Sequence, residues 1–210
     1  MTNANGLGPE QRRLALEGLA LLARIFWGPG PELCAELAGP ALGLLAGLAR
    51  ALGQPGGDEA LRLAAWLEGQ GPAEALCEAT APAFVRLFVN QRGGVAAPLY
   101  HSCYRGEGLL MGEPAREMAR RLATAGLDLG EKAGEPPDHL SVELELLGLM
   151  LDEAWRCGDA ELLAEARDLA GGFMLPWVGR LADRLADEAA CPLYPLAAGL
   201  AAALLARLAA

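Results

Sequence analysis

The chain carries few of the residues that favour β-strands. Ile25 is the only isoleucine among 210 residues, valines are few, and no convincing period-two run of apolar and polar side chains appears. Leucine and alanine, which favour helices, recur instead at helical spacing. Because a strand draws on β-branched and aromatic residues to cover a half-buried face, this composition offers little material for a sheet. The sequence therefore predicts an all-α protein.

Glycine and proline divide the sequence into helices of ordinary length, because both residues disfavour helix interiors. Asp58 is predicted to cap a helix that ends at Glu68, and another helix is expected to begin at Ala81 and Pro82. A chain of this length is compatible with one hydrophobic core, which predicts a single domain. The clusters that mark the breaks lie at residues 28–31, 53–57, 69–72 and 93–94.

The most distinctive segment is Glu135-Pro136-Pro137-Asp138-His139. The two prolines restrict their own φ angles and those of their neighbours, so they predict a stiff connector. Asp138 is expected to cap the helix that follows. The polar groups of this segment are expected to be exposed to solvent. Because a stiff connector loses little conformational freedom when a ligand binds, the segment is suited to recognition.

The helix after this segment has a regular leucine stripe at i, i+4, i+7 and i+11, formed by Leu140, Leu144, Leu147 and Leu151. That spacing predicts that one face of the helix turns inward. The Pro-rich hinge, about residues 126–138, is thereby predicted to separate an N-terminal helix group of about 9–125 from a C-terminal group of about 139–208.

The formal net charge of −10, from 17 basic and 27 acidic residues, argues against nucleic acid as a partner. It suits a cationic partner, although charge also serves solubility. The chain is 53% hydrophobic, yet its apolar runs are short. The longest, residues 196–208, contains Arg207 and falls short of the ~20 residues that span a bilayer. We expect a buried helix there, no integral membrane segment, and no secretory signal, because Glu17 and Arg24 interrupt the N-terminal apolar stretch.

Five cysteines lie far apart, at positions 34, 77, 103, 157 and 191, and no pair has C-x-x-C spacing. An odd number of scattered cysteines is typical of free thiols that act as small buried hydrophobes in a reducing compartment. This pattern favours the cytoplasm over a disulfide scaffold.

The sequence lacks the residue patterns of the common catalytic and metal-binding motifs. His139 and Glu143 have i, i+4 spacing, but the chain has only two histidines, too few ligands for a metal centre. No nucleophile elbow, phosphate-binding loop or dinucleotide-binding fingerprint occurs. The sequence therefore predicts no cofactor, no metal, no catalytic residue and no enzymatic activity.

Several segments are similar to those of one known family and occur in the same order. The similarity extends over roughly residues 14–208. The sequence resembles the TorD/DmsD family of redox-enzyme maturation chaperones, most specifically from Phe84 to Leu147. Tyr100 stands where many relatives have Trp. The segments that carry the resemblance are residues 84–90, 98–104, 109–114, 125–127, the hinge motif, 173–178 and 191–194.

The resemblance implies an all-helical, TorD-like bundle and a cytoplasmic chaperone. It implies binding of the twin-arginine leader of a molybdenum-cofactor oxidoreductase, with the apo-form of the catalytic subunit as partner before export. Trp177 and Tyr194, which match family positions, are expected in the core. The peptide-binding residues that it implies are Phe84, Leu87, Phe88, Tyr100, Gly112, Glu135, Pro136, Asp138 and His139.

Within that set, Glu135 and Asp138 are expected to receive guanidinium groups and the aromatic and leucine side chains to cover the apolar part of the leader. An exposed ion pair contributes about 0–1 kcal/mol. One buried large apolar side chain contributes roughly 1.5–3 kcal/mol. Apolar burial should therefore supply most of the affinity.

Three alternatives remain open from the sequence. The client could be a non-exported molybdoenzyme with a leader-like N-terminus, or the chain could be a helical adaptor without a peptide groove. A small-substrate enzyme is the third. The identity of the client, a monomeric or homodimeric state, and binding of guanine nucleotide or molybdenum cofactor stay open as well.

Overall fold

The structure is a computed structural model that describes residues 6–54, 56–89, 94–105, 110–127 and 135–210. Within these ranges the regular structure is helical, apart from an isolated antiparallel bridge between Tyr100 and His139. The all-α prediction is confirmed. The α-helices are α1 (Pro9–Trp27), α2 (Pro31–Leu37), α3 (Pro40–Leu52), α4 (Gly56–Glu68), α5 (Ala73–Phe84), α6 (Glu113–Thr124), α7 (Leu140–Cys157), α8 (Ala160–Asp168), α9 (Leu175–Leu185) and α10 (Leu193–Ala209).

Three shorter helical segments complete the described structure. A π-helical turn, Val85–Val89, extends α5, and a second, Leu169–Met174, joins α8 to α9. A 3₁₀ turn covers His101–Tyr104. The second π-helical turn contains Gly171 and Gly172, so this glycine pair lies within a helical segment of altered register.

Two predicted helix starts are wrong. Asp58 lies in the first turn of α4, which begins at Gly56. Pro82 lies inside the last turn of α5 and does not begin a helix. Proline removes one N–H donor from a helix, and Pro82 is exposed, so the carbonyl that loses its donor lies near water.

The core forms where α1, α4 and α9 pack against α10, while α1 also packs along α7. The nine buried side chains of α10 include Leu200, Leu204 and Leu205, so the expected buried helix at residues 196–208 is confirmed. Trp177 and Tyr194 are both fully buried, as expected.

The leucine stripe of α7 behaves as predicted. Leu140, Leu144, Leu147 and Leu151 are each 1% exposed or less. This face therefore fixes the rotation of α7 about its axis, and with it the direction in which the hinge at its N-terminus enters the helix.

The expectation that every cysteine is a free thiol is wrong. Cys34 of α2 and Cys77 of α5 form a disulfide with Cα atoms 5.7 Å apart, whereas Cys103, Cys157 and Cys191 are free. The pair is 43 residues apart in sequence and meets because α2 packs against α5. Spacing along the chain carries no signal for such a contact, since tertiary packing creates it.

Among the described residues, no single helix combines the length and the apolar composition needed to cross a membrane. Only α2 and α3 taken together, with a bend of 54° between them, satisfy that test of length and composition.

Reduction of the Cys34–Cys77 disulfide should lower the stability of the protein. A cross-link that closes a loop of 43 residues stabilises by about 4 kcal/mol when it restricts the unfolded chain. Cys77 is half-buried, so a reductant can reach it. Thermal unfolding with and without dithiothreitol should show a lower midpoint for the reduced protein, and Cys34→Ser should remove the difference.

The exposed free thiol of Cys157 supplies the control, because Cys157→Ser should keep the full response to reductant. Titration of the untreated, denatured protein should find three reactive thiols, matching the three free cysteines. A count of five would contradict the disulfide.

Candidate functional site

The end of the hinge is fastened to the segment before the 3₁₀ turn by backbone hydrogen bonds. The N–H of Leu140 donates to the carbonyl of Leu99 at 2.8 Å, and the N–H of His101 donates to that of Asp138 at 3.0 Å. These bonds form the isolated bridge between Tyr100 and His139. The last hinge residues therefore have a fixed position relative to the core.

Asp138 is fully buried, which corrects the expectation that it is exposed beside Glu135. Its Oδ2 atom accepts hydrogen bonds from the N–H of Ser102 at 2.8 Å and from the Ser102 hydroxyl. The carboxylate thus satisfies donors at the start of the 3₁₀ turn. It is also not the cap of α7, since the Nδ1 atom of His139 accepts the N–H of Ser141 at 3.2 Å.

His139 lies between two aromatic rings and is also buried. Its ring stacks on Trp27 with centroids 4.8 Å apart and meets the ring of Tyr100 edge-on at 5.3 Å. Burial lowers the pKa of His139 to about 4, although nearby carboxylates oppose this shift. The ring is therefore neutral at neutral pH and acts as a packing and capping group.

Glu135 is the hinge carboxylate that a ligand can reach. It is half-buried, and its Oε2 atom accepts a 2.6 Å hydrogen bond from the Tyr100 hydroxyl. Burial, followed by this hydrogen bond, raises the pKa of Tyr100, so the hydroxyl stays a donor. Pro136 and Pro137 are also half-buried. Residues 128–134 of the expected hinge lie outside the described residues.

A surface groove of about 550 Å³ runs beside this carboxylate. Glu135 and Pro137 form one wall, and the C-terminal half of α6 with the residues after it forms the other. Gly112 flanks the opposite, N-terminal end of α6, about 15 Å from the groove residue Leu122 along the helix. The side chains and backbone of the second wall belong to Ala119, Leu122, Ala123, Gly126 and Leu127.

The expected apolar contact residues lie mainly in the core. Leu87 is 4% exposed and Phe88 is 6% exposed, so neither is available to a ligand in this structure. Phe88 meets Phe26 at 6.2 Å and Tyr194 at 5.1 Å, both edge-on. Phe84, which contacts Phe88, is half-buried. Phe88 and Leu87 of the π-helical turn after α5 therefore face the core.

A second buried carboxylate, Glu143, joins three segments beneath the hinge. Its Oε1 atom lies 3.2 Å from Nδ1 of His101, and its Oε2 atom accepts a 2.9 Å hydrogen bond from the indole N–H of Trp177. Burial raises the pKa of Glu143 well above its ordinary range. Burial, assisted by nearby arginines, lowers the pKa of His101 to about 3. The two groups are therefore a neutral hydrogen-bonded pair.

This network was only partly visible in the sequence. The i, i+4 spacing paired Glu143 with His139, whereas the structure pairs it with His101, which is 42 residues away. Glu143 does follow Leu140 by three positions and so lies on the predicted inward face of α7. A glutamate at such a position is a signal of a buried polar network, because an unpaired buried carboxyl group is costly.

The buried polar groups beneath the hinge have a structural role. His101 and Glu143 are both buried and neutral, and His139 serves as a helix cap. Within the described part of the chain, no cluster of three or more potential metal-binding side chains occurs. The accessible polar group is the Glu135 carboxylate beside a largely apolar groove, which is the chemistry of recognition.

Replacement of Glu143 by Gln should remove one contribution to the pH dependence of stability, a loss that grows as the pH rises. The raised pKa means that the folded protein keeps a proton which the unfolded chain releases above about pH 4.5. Glu143→Gln keeps both hydrogen bonds without titrating. Relative to this variant, the wild type should therefore lose stability as the pH rises from about 4.5 towards the folded pKa of Glu143.

The measurement is the free energy of unfolding in urea over a pH series for both proteins. The lowered pKa values of His101 and His139 act in both proteins and reduce stability as the pH falls below about 6.5. The effect of Glu143 is therefore the difference between the two free energies, which should grow in favour of the variant as the pH rises above about 4.5. Equal slopes above pH 4.5 would contradict a neutral buried Glu143.

Comparison with known proteins gives consistent matches. A family model described as nitrate reductase delta subunit matches residues 44–183, well over half of the chain. Chaperone protein TorD of Vibrio cholerae serotype O1 is 32% identical over 124 residues, which cover 57% of this chain and 56% of the relative. Chaperone protein TorD of Vibrio parahaemolyticus is 34% identical over 106 residues, 48% of this chain and 49% of the relative.

The fold has a counterpart among solved structures. The crystal structure of a putative redox enzyme maturation protein from Archaeoglobus fulgidus covers 96% of this chain and 97% of its own, with a TM-score of 0.51 and 23% identity. At this identity the match bears on the fold alone. The chain spans about half of the length of the curated relatives that it matches. The family model and these relatives confirm the resemblance, and the chain belongs to the nitrate reductase delta subunit family, among TorD-like proteins.

Proposed function

We propose that this protein is a cytoplasmic chaperone of redox-enzyme maturation that binds the twin-arginine leader of a molybdenum-cofactor oxidoreductase. The observation that carries the proposal is the Glu135 carboxylate, oriented by Tyr100 beside a largely apolar groove. Membership of a family whose relatives are named chaperones, a role without catalysis, supports the class.

The charge of Glu135 complements a guanidinium group. Its Oε2 atom is held by the Tyr100 hydroxyl at 2.6 Å, which orients the carboxylate. A positioned carboxylate can accept two parallel hydrogen bonds from one arginine, a geometry that lysine cannot match. The net charge of −10 adds a long-range attraction for a basic peptide. Preference for arginine over lysine therefore follows from this site.

The other hinge residues take positioning roles. Asp138 binds Ser102, and His139 packs between Trp27 and Tyr100, so neither presents a free charge. Together they set where Glu135 stands relative to α6. A change at Asp138 should therefore act first on the fold of the hinge and only through it on a ligand.

Electrostatics alone would give a weak complex. A half-exposed ion pair contributes about 1 kcal/mol or less, and 0.15 M salt screens charges beyond ~8 Å. The apolar part of the leader must therefore supply most of the affinity, while Glu135 sets register and association rate.

The proposal is tested by titration of a synthetic leader peptide against the purified chain. A peptide with two arginines ahead of an apolar segment should bind, and its Lys-Lys counterpart should bind less well. Glu135→Gln should slow association and reduce the salt dependence of the association rate, at a cost of about 1 kcal/mol or less.

The matched control is Glu68→Gln, which removes an exposed negative charge from the end of α4. It changes the net charge of the chain by the same amount and should leave the kinetics nearly unchanged. Absence of binding to the wild-type protein, or equal binding of the Arg-Arg and Lys-Lys peptides, would overturn the proposed function.

A further inference from the structure

A second groove, of about 420 Å³, lies on the outer side of the α1–α7 pair. The two helices run antiparallel, since Trp27 near the end of α1 contacts His139 before α7, and Arg12 near the start of α1 lies over Trp155 near the end of α7. The residues that line the groove are Leu16, Leu19, Ala20, Leu144, Glu145, Gly148, Leu149 and Asp152.

The groove is open and apolar in its middle. Leu149 is 55% exposed, so its side chain is available to a partner. Gly148 leaves free space beside it, because a Cβ atom added there would meet no other atom within 4 Å. The exposed leucine and the missing side chain together form a depression that an apolar side chain can fill.

The groove is continuous with the hinge through a chain of direct contacts. Glu145, on the groove, accepts a 2.8 Å hydrogen bond from the indole N–H of Trp27. Trp27 stacks on His139, which contacts Tyr100, which in turn binds Glu135. The accessible hinge carboxylate and the apolar groove are therefore linked by direct side-chain contacts.

The charges along the groove indicate what it accepts. Its two charged lining residues, Glu145 and Asp152, are acidic, exposed and two helical turns apart on the same side of α7, with Leu149 between them. The distance along α1 from Leu16 to Trp27 is about 16 Å, the length of a helix of about 11 residues. The complement is a short apolar helix flanked by basic residues.

We propose that this groove binds the apolar segment of the leader peptide as a helix, with the arginines directed towards the hinge. The inference rests on the proposed function and names the surface that supplies its affinity. It replaces Leu87 and Phe88, which are buried in the core, by exposed residues of α1 and α7. Glu145 and Asp152 serve to align the bound helix by its basic flank.

Two variants block the groove in different ways. Gly148→Leu fills the free space without a change of charge, and Leu149→Asp puts a carboxylate where the apolar segment would lie. The control for the first is Gly179→Leu in α9, also at a half-buried helical glycine with no atom within 4 Å. The control for the second is Leu61→Asp in α4, where the leucine is 53% exposed.

The probe is a synthetic peptide with two arginines followed by an apolar segment of about 11 residues, titrated by fluorescence anisotropy. We expect both groove variants to raise Kd at least about tenfold, equivalent to about 1.4 kcal/mol, and both controls to stay near the wild type. Circular dichroism checks the fold, and should Gly148→Leu fail to fold, Leu149→Asp at its exposed position decides the result.

The outcomes separate the two proposals. A wild type that binds no peptide overturns the proposed function and this inference with it. A wild type that binds, with both folded groove variants binding as tightly as the controls, overturns the groove assignment alone. A homodimer that Leu149→Asp converts to monomer with unchanged peptide affinity would assign the groove to a second copy of the chain, and would also overturn the inference.

Discussion

The hydrogen bonds between Asp138 and Ser102 fix the position of the hinge relative to the core. A buried carboxylate is costly unless donors satisfy it, and here a backbone N–H and a hydroxyl at the start of the 3₁₀ turn satisfy its Oδ2 atom, while Oδ1 has no hydrogen-bond partner among the described residues. The two residues are 36 positions apart in sequence. Their contact fixes the hinge against the segment that carries Tyr100, and through Tyr100 it fixes the side chain of Glu135.

Four acidic residues lie close to the start of α7, and they differ in burial and therefore in role. Asp138 and Glu143 are fully buried and join segments distant in sequence. Glu135 and Glu145 each accept a hydrogen bond from an aromatic side chain, and both stay within reach of solvent. The hinge and the first turns of α7 therefore supply two kinds of acidic residue. The buried ones hold the hinge against the core, and the accessible ones carry negative charge at the protein surface.

The fold could be predicted from the sequence because helical periodicity is a local property. The inward leucines of α7 followed from their spacing, and the buried C-terminal helix followed from the length and composition of its apolar run. The burial of Phe88 and the Cys34–Cys77 pair depend on which helices meet, and no local pattern records that. Within the proline motif, the structure differs from the expectation at two residues, since the helix cap is His139 and Asp138 is buried, while Glu135 is the accessible carboxylate.

Trp27 occupies a position with an optical consequence. Its indole is 40% exposed, stacks on the His139 ring and donates to Glu145, so it contacts the hinge and the α1–α7 groove at once. The emission of an indole depends on the polarity and the hydrogen bonding around it, while Trp177 is buried in the core. Trp27 is thus an intrinsic fluorophore between the hinge and the α1–α7 groove. A ligand bound at either place would change the environment of this indole and so its emission.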